Sequence, residues 1–215
     1  MKVVCHEHKF VYAAVPKVAT RSILAGLGSQ DFETEQHRMS VSELFETGTI
    51  DNGYTLFSFV RNPWSRIRST YTNKLLSDNP LVETQILRFY PGLEKGMEFK
   101  DFLEYVTYAE GGGDVLGDRH WVSQYLQLEL PQDRLDNVQL HIGRLENLQA
   151  DFDNIIEQLG LDPIALETLN SRHGFEDSAK KIDYLSSHRQ HFDDEMVGWV
   201  ADRYERDIAT FDYSF

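Results

Sequence analysis

Hydrophobic residues in this chain fall in short blocks set between polar stretches with helical spacing. Phe10–Val15 (FVYAAV) is a continuous apolar run, the pattern of a strand buried on both faces. Ser22–Leu27 reads as the first turns of a helix that closes near Gly26 or Gly28. Val41–Glu46 predicts a short helix with Ser40 or Ser42 as its cap. Tyr54–Val60 (YTLFSFV) is a second buried strand, and RNPWSRIRSTYTNKLL follows it directly. There Asn62 suits a helix cap and Pro63 a first helical turn. Val138–Gly143 (VQLHIG) predicts a third strand. Beyond it Leu145, Leu148, Phe152, Ile155, Ile156 and Leu159 share one helical face, and Gly160 and Pro163 punctuate the end. The last helix carries Met196, Val200, Tyr204, Ile208 and Phe211 at spacings of three and four.

Residues 77–118 are the least regular. SDNP, YPG and EGGGD are turn signals, which reads as a variable excursion with one helix near Phe99–Tyr108. Asp118–Leu128 is expected to be helical. No internal repeat or low-complexity tract is visible. Strands alternating with helices predict an α/β fold with a central, mostly parallel sheet flanked by helices, in a single domain over residues 1–215.

Composition narrows the function. The 215 residues are 41% hydrophobic and 26% charged, as in an ordinary globular protein, and carry a formal charge of −14. Such an acidic surface disfavours nucleic acid and anionic membranes as partners. The cations cluster, however. Lys9–Gln30 and Ser58–Lys74 hold Lys9, Lys17, Arg21, Arg61, Arg66, Arg68 and Lys74 with no acid, so the remaining chain carries −21. A cationic pocket in an acidic protein points to a compact anionic ligand. The lone cysteine, Cys5, allows no internal disulfide. No long apolar run precedes the first strand, and no stretch approaches the roughly 20 apolar residues of a membrane helix. The expectation is a cytoplasmic protein without a signal peptide or membrane span.

In a parallel sheet, ligands bind at the carboxyl ends of strands, where helix N-termini present N–H groups and partial positive charge. PKVATRS sits at one such end, with Lys17, Thr20, Arg21 and Ser22. RNPWSRIRS sits at another, with Arg61, Ser65, Arg66 and Ser69. Two cradles predict a ligand with two phosphate-like groups. A nucleotide P-loop, G-x-x-x-x-G-K-[ST], fails here: no glycine immediately precedes Lys17, and Val18 stands where Ser or Thr would hold magnesium.

These segments resemble the sulfotransferases. VPKVATRS is similar to their 5′-phosphosulfate loop, and FSFVRNPWSRIRSTY to their 3′-phosphate motif, an Arg at a strand end with a Ser eight residues on, here Arg61 and Ser69. DRHW with Gln124, IGRLENL and YERDIATFDY, in that order, resemble carbohydrate sulfotransferases of the chondroitin and HNK-1 type and their bacterial relatives. The resemblance implies a P-loop-like three-layer sandwich. It also implies the donor 3′-phosphoadenosine 5′-phosphosulfate (PAPS), which leaves as 3′-phosphoadenosine 5′-phosphate. It assigns Lys17, Val18, Ala19, Thr20, Arg21 and Ser22 to the 5′ end, and Arg61 with Ser69 to the 3′-phosphate. Arg66 either assists or braces its helix. Gly143–Glu146 lies near the nucleotide, and a late basic segment at Ser178, Lys180 and Lys181 closes over it. Thr20 and Arg21 depart from the small residues common in the family, which leaves the role of Arg21 open.

The implied reaction is in-line transfer of a sulfuryl group to an acceptor hydroxyl, most readily that of a carbohydrate. Lys17 then faces the charge that builds on the bridging oxygen. The acceptor needs a base. His37 in EQHRMSVSEL stands where relatives place one, and His120 in DRHW is its rival. Two other functions share these residues: a P-loop-type nucleotide or small-molecule kinase, and a nucleotide-binding protein without catalysis. No metal is expected, although His6, His8 and Cys5 lie close in sequence. Trp64, Trp121 and Trp199 read as packing residues, and the acid-rich HFDDEMVGWVADRYERD as a solvated helix face.

Overall fold

The computed structural model describes residues 1–76, 86–108, 114–128, 138–167 and 187–215. They form two compact units. One holds Met1–Arg61 with the described residues of Tyr125–Ser178; the other holds Asn62–Gln124 with those of Ala179–Phe215.

The first unit is built on a five-stranded sheet of order β3-β1-β2-β4-β5. The strands are β1 (Lys2–Cys5), β2 (Phe10–Ala13), β3 (Glu35–His37), β4 (Thr55–Val60) and β5 (Leu140–Arg144). The three strands legible in the sequence run parallel, β2 beside β4 and β4 beside β5. The other two pair antiparallel, β1 to both β2 and β3, so the sheet is mixed. β1 is only four residues long, and β3 is the polar triplet EQH at a sheet edge, so neither gives a hydrophobic run long enough to read. α1 (Thr20–Gly28) and α2 (Val41–Glu46) connect the strands. Ser40 caps α2: its hydroxyl accepts from the Glu43 N–H while Glu43 accepts from the Ser40 N–H. Val41, Leu44 and Phe45 of α2 pack with Val4, Val11 and Leu56 of the sheet.

β5 lies against β4 closely enough that only glycine fits at position 143. A Cβ there would stand 2.3 Å from Phe59 Cε1. After a single 3₁₀ turn the chain enters α6 (Leu148–Gln158), which ends where Gly160 turns left-handed at φ 68°.

The second unit is helical: α3 (Pro63–Lys74), α4 (Phe99–Tyr108), α5 (Gln124–Leu128, of which only Gln124 belongs here), α7 (Asp194–Arg203) and α8 (Glu205–Phe211). Asn62 caps α3 by accepting from the Ser65 N–H at 3.3 Å, with Pro63 as its first residue. Trp64, Ile67, Tyr71, Phe102, Trp121, Met196, Val200 and Tyr204 make its core. The helix expected over Asp118–Leu128 forms only from Gln124; residues before it are turns. The last helix breaks into α7 and α8 at Tyr204. Its acids are not all solvated. Asp207 is fully buried and accepts from the Gln124 N–H at 2.8 Å. No described helix is long and apolar enough to cross a membrane.

Candidate functional site

In the first unit, the loop between β2 and α1 carries the unusual geometry. Lys17 has φ 75° and Ala19 φ 60°, both left-handed, with Val18 between them. Neither is glycine, and each left-handed residue costs roughly 1–2 kcal/mol. The surroundings hold the loop in place. Val15 and Val18 are fully buried, the Thr20 hydroxyl donates to the Val15 carbonyl at 2.5 Å, and Arg61 Nη1 donates to the Lys17 carbonyl at 3.3 Å. Left-handed residues in such a turn aim neighbouring N–H groups toward one concavity, the geometry of an anion-binding nest. α1 begins immediately after it with no side-chain cap on Ala19, so its first N–H groups and dipole face the same loop.

Arg61 follows β4 and is buried, beside the end of β2. Ser58, three residues earlier, locks the two strands: its hydroxyl donates to the Ala13 carbonyl at 2.5 Å. Lys17 and Thr20 are half-buried, Ser22 is buried and Arg21 is exposed. The sheet register aligns His37, Lys2, Ala13 and Ser58 in one row across β3, β1, β2 and β4. His37 therefore sits level with the end of β2, two strand spacings or about 10 Å from it. Its Nε2 lies 3.2 Å from Glu35 Oε2. A cavity of about 580 Å³ opens beside β5, lined in part by Gly143, Arg144 and Glu146, the strand-end segment singled out above. Asp151 accepts the Arg144 N–H at its rim, at 2.7 Å.

The second unit holds the other predicted residues. Ser69 is half-buried on α3. Arg66 is 2% exposed and turns inward, donating to the Val122 carbonyl at 2.9 Å and the Arg119 carbonyl at 3.1 Å. Of its two sequence-based roles this geometry matches the brace. The DRHW turn is pinned from several sides. Thr70 donates to the His120 carbonyl at 2.9 Å, and Tyr204 Oη to the Trp121 carbonyl at 2.6 Å. Burial pushes the Tyr204 phenol up to about 12, so it remains a donor. His120 Nδ1 hydrogen-bonds Asp118, whose carboxylate also accepts the His120 N–H. Burial pulls the His120 imidazole below its ordinary value, outweighing the pull of Asp118 in the other direction. For Asp118 burial is the largest influence but loses to the His120 hydrogen bonds and charge, which hold the carboxyl below the usual range. His120 is thus held neutral beside an ionised Asp118.

Lys180, with Ser178 and Lys181, lies outside the described residues. No group of three or more described His, Cys, Asp or Glu side chains could hold a metal ion. Sequence reasoning passed over Ser58, Glu35 and Asp118. Glu35 had a signal in its two-residue spacing from His37, but that puts them on one face only if β3 is known to be a strand.

The model of the sulfotransferase family (Sulfotransfer_2) matches residues 2–214. The chain belongs to this family. The match bears out the resemblance read from the Lys17, Arg61 and Ser69 segments. Carbohydrate sulfotransferase 14 of Danio rerio is 27% identical over 175 residues, covering 72% of this chain and 47% of that protein. The chain thus spans about half the length of the curated relative it matches. No solved structure matches.

Proposed function

We propose that this member of the sulfotransferase family is a PAPS-dependent enzyme that moves a sulfuryl group to a hydroxyl of a carbohydrate acceptor. The observation that carries the reading is the Lys17 loop, a strained nest at a strand end backed by the buried Arg61. Its donor set suits a phosphosulfate: one ammonium, a run of N–H groups, and no carboxylate between Lys9 and Gln30. The relative's printed name supports a glycan acceptor. The family match across both units supports one sulfotransferase domain, and the β2–loop–α1 order supports a P-loop-like sandwich.

PAPS supplies an activated sulfuryl group when bound. Lys17 holds its ammonium where negative charge builds on the oxygen that leaves sulfur. Val18, Ala19, Thr20 and Ser22 present their N–H groups to the same end, and Arg21 stands at the exposed rim of this turn. Arg61 and Ser69, eight residues apart in sequence, are assigned to the 3′-phosphate, and Lys180 to the nucleotide, by resemblance. His37 takes the proton of the acceptor hydroxyl as its oxygen bonds to sulfur, and later gives it to solvent. The neutral His120 beside Asp118 favours a second reading in which it is the base.

Calorimetry with 3′-phosphoadenosine 5′-phosphate and an assay of labelled sulfate transfer to a glycan panel test the whole scheme. Arg61→Ala and Ser69→Ala are expected to weaken nucleotide binding. His37→Ala should bind normally and lose about 10²–10⁴ in turnover, as loss of a general base does. Loss of turnover on His120→Ala instead transfers the role to His120. A wild-type protein that binds ATP with magnesium but not this nucleotide refutes the scheme in favour of a kinase.

A further inference from the structure

The groups behind His37 form a chain that the proposed reaction has not yet used. β3 places Glu35 and His37 on one face, and Glu35 Oε2 lies 3.2 Å from His37 Nε2 and 3.7 Å from His6 Nε2. His6 comes from the turn after β1, and its Nδ1 is 2.6 Å from Tyr54 Oη. The two rings also meet edge-on, 6.0 Å between centroids.

The proton positions follow from these contacts. Burial above all, with the charges of Asp51, Cys5 and Glu35, pushes the Tyr54 phenol up, so Tyr54 stays an O–H donor. Tyr54 Oη and His6 Nδ1 share this hydrogen bond, and His6 Nε2 faces Glu35. Glu35 is a carboxylate and only accepts. The nitrogen of His37 that faces it must then carry hydrogen. In the neutral ring that a base requires, the lone pair then falls on Nδ1.

We propose that Glu35 is a positioning residue for His37: it fixes the tautomer with hydrogen on Nε2, is itself steadied by His6 and Tyr54, and so makes Nδ1 the atom that receives the acceptor's proton. This rests on the reading of His37 as the base. The Glu35 side chain is 60% exposed, so the pair contributes little to stability. Its consequence is orientation, which separates it from a structural contact.

The test combines nitrogen NMR of the His37 ring, which needs no donor or acceptor, with steady-state kinetics. Wild-type protein and Glu35→Gln are expected to show hydrogen on Nε2, because the glutamine carbonyl still accepts from it. Glu35→Ala should show a mixture of tautomers. Its kcat should fall about tenfold, a fraction of what a whole general base supplies. Its KM for donor and acceptor, and its melting temperature, should stay at wild-type values, and Glu35→Gln should recover part of the lost kcat. Wild-type kcat and an unchanged tautomer in Glu35→Ala, with His37→Ala inactive, overturn the role of Glu35 alone. Wild-type turnover in His37→Ala overturns the base reading and this inference with it.

Discussion

Gly143→Ala is the sharpest structural test, because one added methyl meets one fixed ring. Gly143 on β5 pairs in register with Phe59 on β4, and the Phe59 ring lies over the glycine Cα. An alanine Cβ would stand 2.3 Å from Phe59 Cε1 and 2.8 Å from both Cδ1 and Cζ. Ordinary contact begins at 3.4 Å, so the ring must give by more than 1 Å. It has little room: Phe59 is fully buried and rests on Phe152 of α6 at 6.3 Å between centroids. Overpacking of this kind costs about 1–3 kcal/mol, and a clash with a confined ring belongs at the upper end. At roughly 2–4 °C per kcal/mol for a chain of this size, the melting temperature should fall by about 6–12 °C. Calorimetry measures it. Phe59→Leu removes the obstructing ring, so the double variant should be more stable than the two single losses predict, by about 0.5–3 kcal/mol. A Gly143→Ala protein that melts within about 2 °C of wild type, or losses that simply add, would refute the packing argument.

Two further outcomes follow from the second unit. Arg66→Met removes the donor to the carbonyls of Val122 and Arg119, which should cost about 1–3 kcal/mol in urea unfolding while the folded protein keeps its affinity for 3′-phosphoadenosine 5′-phosphate. A tenfold loss of that affinity would return Arg66 to the cofactor. The Asp118–His120 pair makes stability depend on pH. The fold holds His120 neutral, with its titration lowered, so stability falls as pH drops below the ordinary value of 6.5 toward the lowered one. Asp118 is held charged, so its contribution is full above 3.8 and is lost as pH falls through its lowered value. Urea midpoints followed from neutral into acid should decline accordingly. The His120→Gln variant should lack the first part of the decline; an identical profile in that variant contradicts the assignment.

The sequence by itself determined the three strands that run parallel, because buried strands are short, mainly apolar runs between turn signals, as Phe10–Ala13 is throughout and Thr55–Val60 is apart from Thr55 and Ser58. It determined the Asn62 cap and the helical faces and narrowed the cap of α2 to Ser40 or Ser42, because these are local and periodic. It also carried the chemistry of the two cationic turns, because charge and spacing survive in one dimension. The tertiary structure decided what depends on pairing. The edge strand β3 is three polar residues that become a strand only against β1, and Glu35 faces His37 only once that strand exists. Asp207 reads as one more solvated acid until the fold buries it on Gln124. The loop at Lys17 looked like a P-loop stripped of glycines. It is a nest whose left-handed residues, Lys17 and Ala19, are held by Thr20, Arg61 and two buried valines, contacts that no stretch of chain contains by itself.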